Sequence, residues 1–436
     1  MLMTVFLSCL VCLFFVVSDC AAARSDVTVT GDWQVTAQTA EAMTTLAVVP
    51  AEMITVRAEK YESLPIFNAG AAGWGKGAKL RGVTTQETTA KGYLDPASVV
   101  VTASPEGEAL VRDRDYAIDL EWGTFGRLEG GRIAAQQPVY VSYRHGMGRI
   151  DTVISKDGQV ILHKGTPSIN EPLPPDVATG ETALANIWVP GRLLRLSADN
   201  IFPILETVYP EPEKVAPTPA ERYLPRTLRK LHAGQHVKIL AWGDSVTEAS
   251  YLPHPERERW QTQFLARLRR QFPSAEIELI SLGWGGRNTE SFLHEPPGSP
   301  HNYQEQVLDA QPDLIVSEFV NDAGLSPEAV EARYGKLLAD FTGIGAEWII
   351  LTPHYVRPDW MGLTRERDID ADPRPYVTGL RQFAARHHVA LADASLRWGR
   401  LWRQGIPYTT LLLNAINHPD QRGMKLFADS LMELFG

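Results

Sequence analysis

The sequence predicts a chain of two parts, an all-β region followed by an α/β region built on a parallel, doubly wound sheet. Two observations lead to this fold class. Residues 27–202 contain short runs in which apolar and polar residues alternate between turn-forming residues, a pattern typical of half-buried strands. From residue 236 onward, apolar runs alternate with amphipathic helical stretches, which is the pattern of a parallel sheet covered by helices.

The first 23 residues predict a signal peptide. Residues 5–17 form a mostly apolar run that is too short to span a bilayer, and three alanines follow it as at a cleavage site. We therefore expect an exported protein, secreted, periplasmic or at the cell surface, with no integral membrane span after cleavage. Lipid anchoring at Cys20 is the alternative, and Asp19 before it disfavours that reading. The three cysteines all lie in this segment: Cys9, Cys12 and Cys20.

Composition narrows the classes of function. A chain cleaved after residue 23 contains no cysteine, which excludes disulfides, thiol nucleophiles and zinc–thiolate sites. The hydrophobic fraction of 44% and the charged fraction of 22% are those of an ordinary globular protein. The formal net charge is −10, and no stripe of lysine and arginine occurs. Nucleic acid is therefore not an expected partner.

The region from residue 27 to 202 is expected to resemble a β-sandwich, either as one unit or as two small modules that meet near Arg149. Six prolines between residues 203 and 235 predict a stiff connector that ends in a short helix. Three tryptophans of the β region either stack on carbohydrate or belong to its core; they are Trp33, Trp74 and Trp122. The clearest strand patterns cover residues 98–102, 116–120, 138–143 and 159–163.

The α/β region, residues 236–436, contains five apolar runs that predict parallel strands. One-sided apolar faces predict helices around Phe264 and around Phe427. Functional residues of doubly wound sheets gather at the carboxyl ends of the strands, so the site is expected there. The five runs cover residues 237–242, 277–282, 314–319, 348–351 and 389–392.

Polar motifs follow the first three of these strands and precede the last helix. Ser245, directly after the first strand, either caps a helix or presents its hydroxyl at the edge of the sheet. Together the motifs supply the parts of an acyl-transfer site, with Ser245 as nucleophile and His418 as its base. The backbone N–H groups of Ser245 and Gly286 and the side-chain amide of Asn321 would form the oxyanion hole.

These four blocks resemble the SGNH, or GDSL-type, esterase/hydrolase family, which is named after a Ser, a Gly, an Asn and a His. The blocks read GDSVT, GGRNT, VND and NHP, and the resemblance covers residues 236–436. It implies a flavodoxin-like three-layer α/β/α fold and hydrolysis of carboxylic esters without a metal or an organic cofactor. The sequence departs from the family pattern at Phe319, where a glycine is usual, and at Ala415, where the family has the Asp that orients the His.

The missing Asp leaves open what orients His418. The alternatives are a Ser–His dyad, a dyad assisted by Asn414, and a triad completed by Asp420 or Asp393. Three further residues are candidates for substrate binding, with a surface ion pair or core packing as the alternative for each. They are Arg287 after the glycine loop, and His354 and Trp360 after the fourth strand.

The sequence thus predicts an exported serine esterase. Export and the accessory β region favour acetylated carbohydrate as the substrate, by analogy with the family. A lipase or lysophospholipase is one alternative. A non-catalytic carbohydrate-binding or cell-surface protein on the same scaffold is another, suggested by the missing Asp. No zinc-protease, Walker, dinucleotide-binding or EF-hand motif occurs, so neither a metal nor a cofactor is expected. Nothing in the sequence specifies an oligomeric state.

Overall fold

The computed structural model describes residues 26–436. The expected signal peptide over residues 1–23 and the alternative anchor at Cys20 lie outside the described residues. The first half of the described chain is antiparallel β structure. Its strands are β1 (Asp26–Gly31), β2 (Gln34–Gln38), β3 (Met43–Ala47), β4 (Ile54–Tyr61), β5 (Ala78–Lys79), β6 (Val100–Thr102), β7 (Tyr116–Asp119), β8 (Thr124–Arg127), β9 (Val139–His145), β10 (Arg149–Lys156), β11 (Gln159–His163), β12 (Thr182–Val189) and β13 (Ile201–Pro203).

The β region contains two separate apolar cores. In one, the sheet β1-β2-β3 packs on the sheet β11-β10-β12-β13 around residues such as Val35 and Ile187. In the other, the sheets β4-β9-β6 and β5-β8-β7 enclose Phe125 and Val141. The chain leaves the first unit after β3, builds the second, and returns at Arg149. The alternation of apolar and polar residues predicted this arrangement of half-buried strands, as along β9, where every second residue is buried.

The second half is the α/β region. It begins with two helices that end the proline-rich connector and closes with a helix at the C-terminus. Its elements are α1 (Pro219–Tyr223), α2 (Pro225–His232), β14 (His236–Gly243), α3 (Ser245–Glu248), α4 (Pro255–Glu258), α5 (Trp260–Gln271), β15 (Glu276–Gly283), α6 (Thr289–His294), β16 (Leu314–Glu318), α7 (Pro327–Gly343), β17 (Glu347–Leu351), α8 (Pro375–His387), β18 (Ala390–Ala392), α9 (Ala394–Arg400) and α10 (Gln421–Glu433).

The five predicted strands form one parallel sheet in the order β15-β14-β16-β17-β18, which confirms the predicted fold class. Along β14, alternate residues face opposite cores: Ile239 packs towards α2, α5, α9 and α10, whereas Leu240 packs towards α7 and α8. Helices therefore cover both faces. In this strand order the chain reverses direction across the sheet at β14, and clefts form at the carboxyl ends of the strands beside that point.

The connector holds the two regions together along its length. Glu206 and Glu211 form ion pairs with Arg400 and Arg397 of the α/β region. The β region also contacts the α/β region directly, because the Asn186 side-chain amide donates a hydrogen bond of 2.8 Å to the carbonyl of Gly405. Among residues 26–436, no helix has the length and apolarity needed to cross a membrane.

Candidate active site

Ser245 lies at the carboxyl end of β14, where the strand turns abruptly into α3. Only glycine fits at position 243, because a Cβ there would lie 2.2 Å from Thr247 Oγ1 and 2.3 Å from the carbonyl oxygen of Glu318. Asp244 then caps α3, accepting a hydrogen bond of 3.1 Å from the N–H of Val246. The sharp turn leaves Ser245 half-buried, as the first helical residue at the edge of the sheet.

Asp244 also joins the serine turn to the next functional loop. Its second carboxylate oxygen accepts a hydrogen bond of 2.9 Å from the backbone N–H of Asn321. The carboxyl group is fully buried, and this burial raises its pKa to about 7, although the hydrogen bonds from Asn321 and Val246 oppose the rise. The side chain of Asp244 thus connects the turn that carries Ser245 to the turn that carries Asn321.

His418 lies in the loop before α10, and its ring reaches Ser245. Nε2 of His418 is 3.3 Å from Ser245 Oγ. The ring is largely buried and stacks on Tyr251, with ring centroids 4.1 Å apart and planes 6° from parallel. Burial lowers the pKa of His418 to about 4, opposed by the charge of Glu87. The imidazole is therefore neutral at pH 7 and can accept a proton from the serine hydroxyl.

The predicted oxyanion residues lie at the same edge of the sheet. The loop after β15 passes beside the nucleophile, because a Cβ built at Gly285 would lie 3.9 Å from Ser245 Cβ. Gly286 adopts φ 71°, a left-handed conformation that favours glycine. The side-chain amide of Asn321 donates a hydrogen bond of 3.0 Å to the carbonyl of Arg287, which fixes this loop against the asparagine turn.

Of the three residues proposed to orient His418, none is a hydrogen-bonding partner of its ring. Asn414 Oδ1 instead accepts backbone N–H groups of its own loop, including that of His418 at 3.0 Å. Asp420 caps α10 through a 2.9 Å hydrogen bond from Gly423 and pairs with Arg422. Asp393 accepts hydrogen bonds from Arg381, Thr352 and Ser395. Each side chain is engaged in local structure.

Two residues of the β region contact the ring instead, and no sequence motif predicted either of them. His418 Nδ1 lies 2.9 Å from Gln86 Oε1 and 3.4 Å from Glu87 Oε2. Both residues belong to a polar turn whose sequence, TTQETT, carries no recognisable motif. The only signal available in the sequence was indirect, namely the absence of an acidic residue at Ala415.

The structure separates the three candidates for substrate binding. His354 is fully buried and its Nε2 lies 2.9 Å from the carbonyl oxygen of Asn417, so it supports the histidine loop rather than facing the cleft. Burial lowers its pKa well below the usual value. Arg287 is exposed and lies over the ring of Trp284, 5.1 Å from its centroid. Trp360 is 51% exposed and lines a cavity together with Asn321.

Trp360 belongs to an aromatic cluster that both regions build. Its ring centroid lies 5.8 Å from that of Trp74, which in turn lies 5.0 Å from that of Trp122. The Arg357 guanidinium lies within 6 Å of all three rings. Trp33 is not part of this cluster, because it packs in the first β core and donates a hydrogen bond to Leu194. The cluster places aromatic surface beside the candidate site.

Within the described range, 26–436, no group of three or more His, Cys, Asp or Glu side chains is arranged to hold a metal ion. The site therefore consists of a serine, a histidine, an asparagine and loop backbone, joined by two side chains of the β region. This arrangement fits nucleophilic acyl transfer, in which a neutral histidine deprotonates a serine and hydrogen-bond donors stabilise the oxyanion.

Comparison with protein families finds one match: residues 241–426 match the GDSL-like lipase/acylhydrolase family. None of the curated proteins compared with the chain matches it significantly. Similar solved structures include a two-domain esterase (CEX) active on acetylated mannans, with 17% identity and a TM-score of 0.39. That alignment covers 49% of this chain and 52% of the other, so it spans about half the length of the esterase.

Two further similar structures are matched over nearly their whole length. One is a variant of Axe2, an acetylxylan esterase from Geobacillus stearothermophilus, with 19% identity, a TM-score of 0.36 and coverage of 46% of this chain and 94% of that chain. The other is a lipolytic protein of the G-D-S-L family from Veillonella parvula, with 19% identity, a TM-score of 0.35 and coverage of 46% and 98%. At such identities the similarity concerns the fold alone.

Proposed function

Residues 241–426 match the GDSL-like lipase/acylhydrolase family, and we propose that the chain is an exported serine esterase that removes acetyl groups from carbohydrate. The observation that carries the proposal is the 3.3 Å approach of His418 Nε2 to Ser245 Oγ. This is hydrogen-bonding reach between a hydroxyl and a base, the first requirement for nucleophilic catalysis by serine.

In the first half of the proposed reaction, Ser245 Oγ bonds to the acyl carbon of the ester while its proton passes to His418 Nε2. The carbonyl oxygen becomes an oxyanion that receives hydrogen bonds from the N–H groups of Ser245 and Gly286 and from the Asn321 amide. The bond to the alcohol oxygen then breaks, and the histidine returns the proton to that oxygen. The products of this half are a free alcohol and an acyl-serine.

In the second half, water repeats the sequence. His418 accepts a proton from the water, whose oxygen bonds to the acyl carbon, and the Ser245 oxygen leaves with the proton returned to it. The net reaction is ester plus water to carboxylic acid plus alcohol. The lowered pKa of His418 keeps the ring neutral, and so able to accept a proton, over the neutral and mildly acidic range.

The cavity beside the site supports a short acyl group on a polar alcohol. Its volume is about 350 Å³, and its lining combines small apolar walls, Val320 and Val356, with the polar Asn417. Trp360 forms its rim and continues into the aromatic cluster with Trp74. An exposed aromatic face can stack on the apolar face of a sugar ring, whereas a long acyl chain would require a longer apolar groove.

The proposal is tested by ester hydrolysis. Wild-type protein is expected to hydrolyse p-nitrophenyl acetate and to release acetate from acetylated oligosaccharides. Ser245→Ala is expected to lower kcat by at least about 10⁴-fold, since loss of the nucleophile removes the covalent route. Ser250→Ala is the matched control, because this nearby serine is exposed and, among residues 26–436, its hydroxyl bonds only to Glu248. Its activity should equal that of the wild type.

Esters of different acyl length and acetylated oligosaccharides, tested as substrates, distinguish the alternative functions. A preference for p-nitrophenyl palmitate over the acetate would indicate a lipase instead. No hydrolysis of any ester by wild-type protein would contradict the esterase proposal and favour a binding protein on this scaffold. Trp360→Ala should raise KM severalfold for acetylated oligosaccharides and leave kcat/KM for p-nitrophenyl acetate unchanged, if the aromatic rim binds sugar. Export is tested separately, by whether the secreted chain begins after residue 23.

A further inference from the structure

The ring of His418 is held by the β region and not by an acidic residue of its own loop. The position that carries the family's Asp is Ala415, and the acidic candidates nearby are engaged elsewhere. The contacts to Nδ1 come from Gln86 and Glu87, and Gln86 precedes the histidine by 332 residues. The β region thus directly contacts the histidine proposed to act as the base.

These contacts select the tautomer that a general base needs. The carboxylate of Glu87 and the amide oxygen of Gln86 can only accept hydrogen bonds, so Nδ1 of His418 must carry the proton. In a neutral ring that leaves the lone pair on Nε2, which faces Ser245 Oγ. The negative charge of Glu87 also favours the imidazolium that forms when the proton arrives.

The turn that carries the two residues is fixed both internally and against the histidine loop. Glu87 adopts φ 61°, and the flanking residues Thr84 and Thr89 form a β-bridge that closes the turn. The hydroxyls of Thr85 and Thr88 are 2.9 Å apart and buried. These bonds hold in place a turn that is short and otherwise polar, so its side chains project in defined directions.

Two further hydrogen bonds set the turn in register with the histidine loop. The backbone N–H of Gln86 donates to the carbonyl of Leu413 at 3.3 Å, and the Thr88 hydroxyl donates to the carbonyl of Asn414. Together with the Gln86–His418 contact, they join two loops from different regions at three points. Such a connection gives the imidazole a fixed orientation without any acidic residue in the α/β region.

Several other groups surround the ring. Tyr251 stacks on one face of His418, Ser245 lies at Nε2, and a charge on His418 would lower the pKa of the buried His354. Glu87 is the group whose charge raises the pKa of His418 against the effect of burial. Because the Glu87 side chain is 58% exposed, solvent screens that charge and its effect is moderate.

We propose that Gln86 and Glu87 are positioning residues of the hydrolase site and replace, from the β region, the Asp that the family places three residues before its His. Gln86 fixes the ring and its tautomer, and Glu87 supplies the negative charge. The inference rests on the proposed esterase function. It assigns the β region a role in the chemical step itself.

Isosteric removal of the charge is the first test, carried out on the full chain. Glu87→Gln is expected to lower kcat/KM for p-nitrophenyl acetate about three- to tenfold, a screened effect well short of an entire triad member. The acid limb of the pH profile should move to lower pH, because His418 loses the charge that raises its pKa. Glu62→Gln is the control, an exposed glutamate of the β region that is paired with Lys60.

Gln86→Ala tests the 2.9 Å contact between Gln86 Oε1 and His418 Nδ1. Loss of the hydrogen bond at Nδ1 allows the wrong tautomer and should lower kcat by about 10²-fold, with little change in KM. The swapped variant Gln86→Glu/Glu87→Gln restores a carboxylate at Nδ1 and should recover the activity lost in Glu87→Gln, with the acid limb back at or above its wild-type position. If Glu87 only shaped the turn, moving the carboxylate from position 87 to position 86 would not restore the activity.

A measurement that does not depend on ester hydrolysis tests the positioning role of Gln86 and Glu87 separately from the esterase function. With ¹⁵N-labelled histidine, NMR of the wild type should show His418 protonated at Nδ1, and its pKa should fall in Glu87→Gln. This result holds whether or not an ester is hydrolysed, so an inactive wild type contradicts only the esterase proposal. A His418 pKa and acid limb unmoved in Glu87→Gln, with wild-type kcat in Gln86→Ala, would overturn the inference.

Discussion

Two groups of buried charges, one in each region, are compensated differently. In the β region, the buried Arg149 and Asp151 form two hydrogen bonds, at 2.7 and 2.8 Å, and the N–H of Gly165 completes the acceptor set. In the α/β region, burial raises the pKa of three neighbouring carboxyl groups, and neither oxygen of Glu318 has a partner among residues 26–436. The three are Asp244, Glu318 and Asp322.

This difference indicates that buried charge destabilises the fold near the proposed nucleophile rather than at the Arg149–Asp151 pair. In the β region, the charges of Arg149 and Asp151 satisfy each other. The α/β region gathers poorly compensated carboxyl groups around the Asp244 connection, directly beside the proposed nucleophile. Perturbed titratable groups concentrate at functional sites because chemistry requires groups that are costly to bury. The following substitutions test the contrast.

The largest effect is expected from breaking the compensated pair. Arg149→Met leaves Asp151 buried without its partner and should lower the free energy of unfolding by about 3–5 kcal/mol. Urea denaturation measures this loss. The double variant Arg149→Met/Asp151→Leu removes both charges and should recover most of it. Equal stabilities of the single and double variants would contradict the compensated pair.

A smaller effect, on rate and not on stability, is expected at the oxyanion site. Asn321→Ala removes one donor and should lower kcat for p-nitrophenyl acetate by about 10²–10³-fold. Asn68→Ala is the control, an exposed asparagine of the β region whose side chain, within the described part of the chain, bonds only to the N–H of Gly70. An unchanged kcat in Asn321→Ala would remove this residue from the mechanism.

The smallest effect is a change in the pH dependence of stability. Burial and the charge of Asp244 raise the pKa of Glu318 well above 4.5, so the folded state retains a proton that the unfolded chain releases as pH rises. Glu318 should therefore make stability fall from pH 5 to pH 8, against the rise that the lowered pKa of His418 contributes below pH 6.5. Glu318→Gln should reduce that fall, leaving the parts due to Asp244 and Asp322.

Denaturation of wild type and variant across this range measures the difference. Glu62→Gln serves again as the exposed control, and its curve should run parallel to the wild type. A parallel curve for Glu318→Gln as well would show that the buried carboxyl group does not carry the charge cost inferred from its environment.

The sequence predicted the α/β fold closely because its signals are local. Each of the five apolar runs became a strand with ends shifted by at most two residues, as at β14, which begins at His236. The approach of His418 to Ser245 was also predictable, since strand order brings the carboxyl end of β14 to the loop before α10. Short motifs at strand ends are sufficient when the topology is regular.

The partners of the histidine ring were not predictable in the same way. Asp420 stands two residues after His418, but its carboxylate caps α10 and so points away from the ring. His354 was a candidate for the cleft or for core packing, and it is buried beneath the loop. Gln86 and Glu87 reach the ring only through packing between regions, and such contacts leave no local pattern in a sequence.

Covalent labelling tests the central claim most directly. A fluorophosphonate reacts with a serine only when a neighbouring base activates its hydroxyl, so incubation followed by peptide mass spectrometry identifies the nucleophile. We expect a single phosphonyl adduct, on the peptide that contains Ser245, formed at a rate that falls in Gln86→Ala. An unlabelled Ser245, or an adduct on another serine, would contradict it.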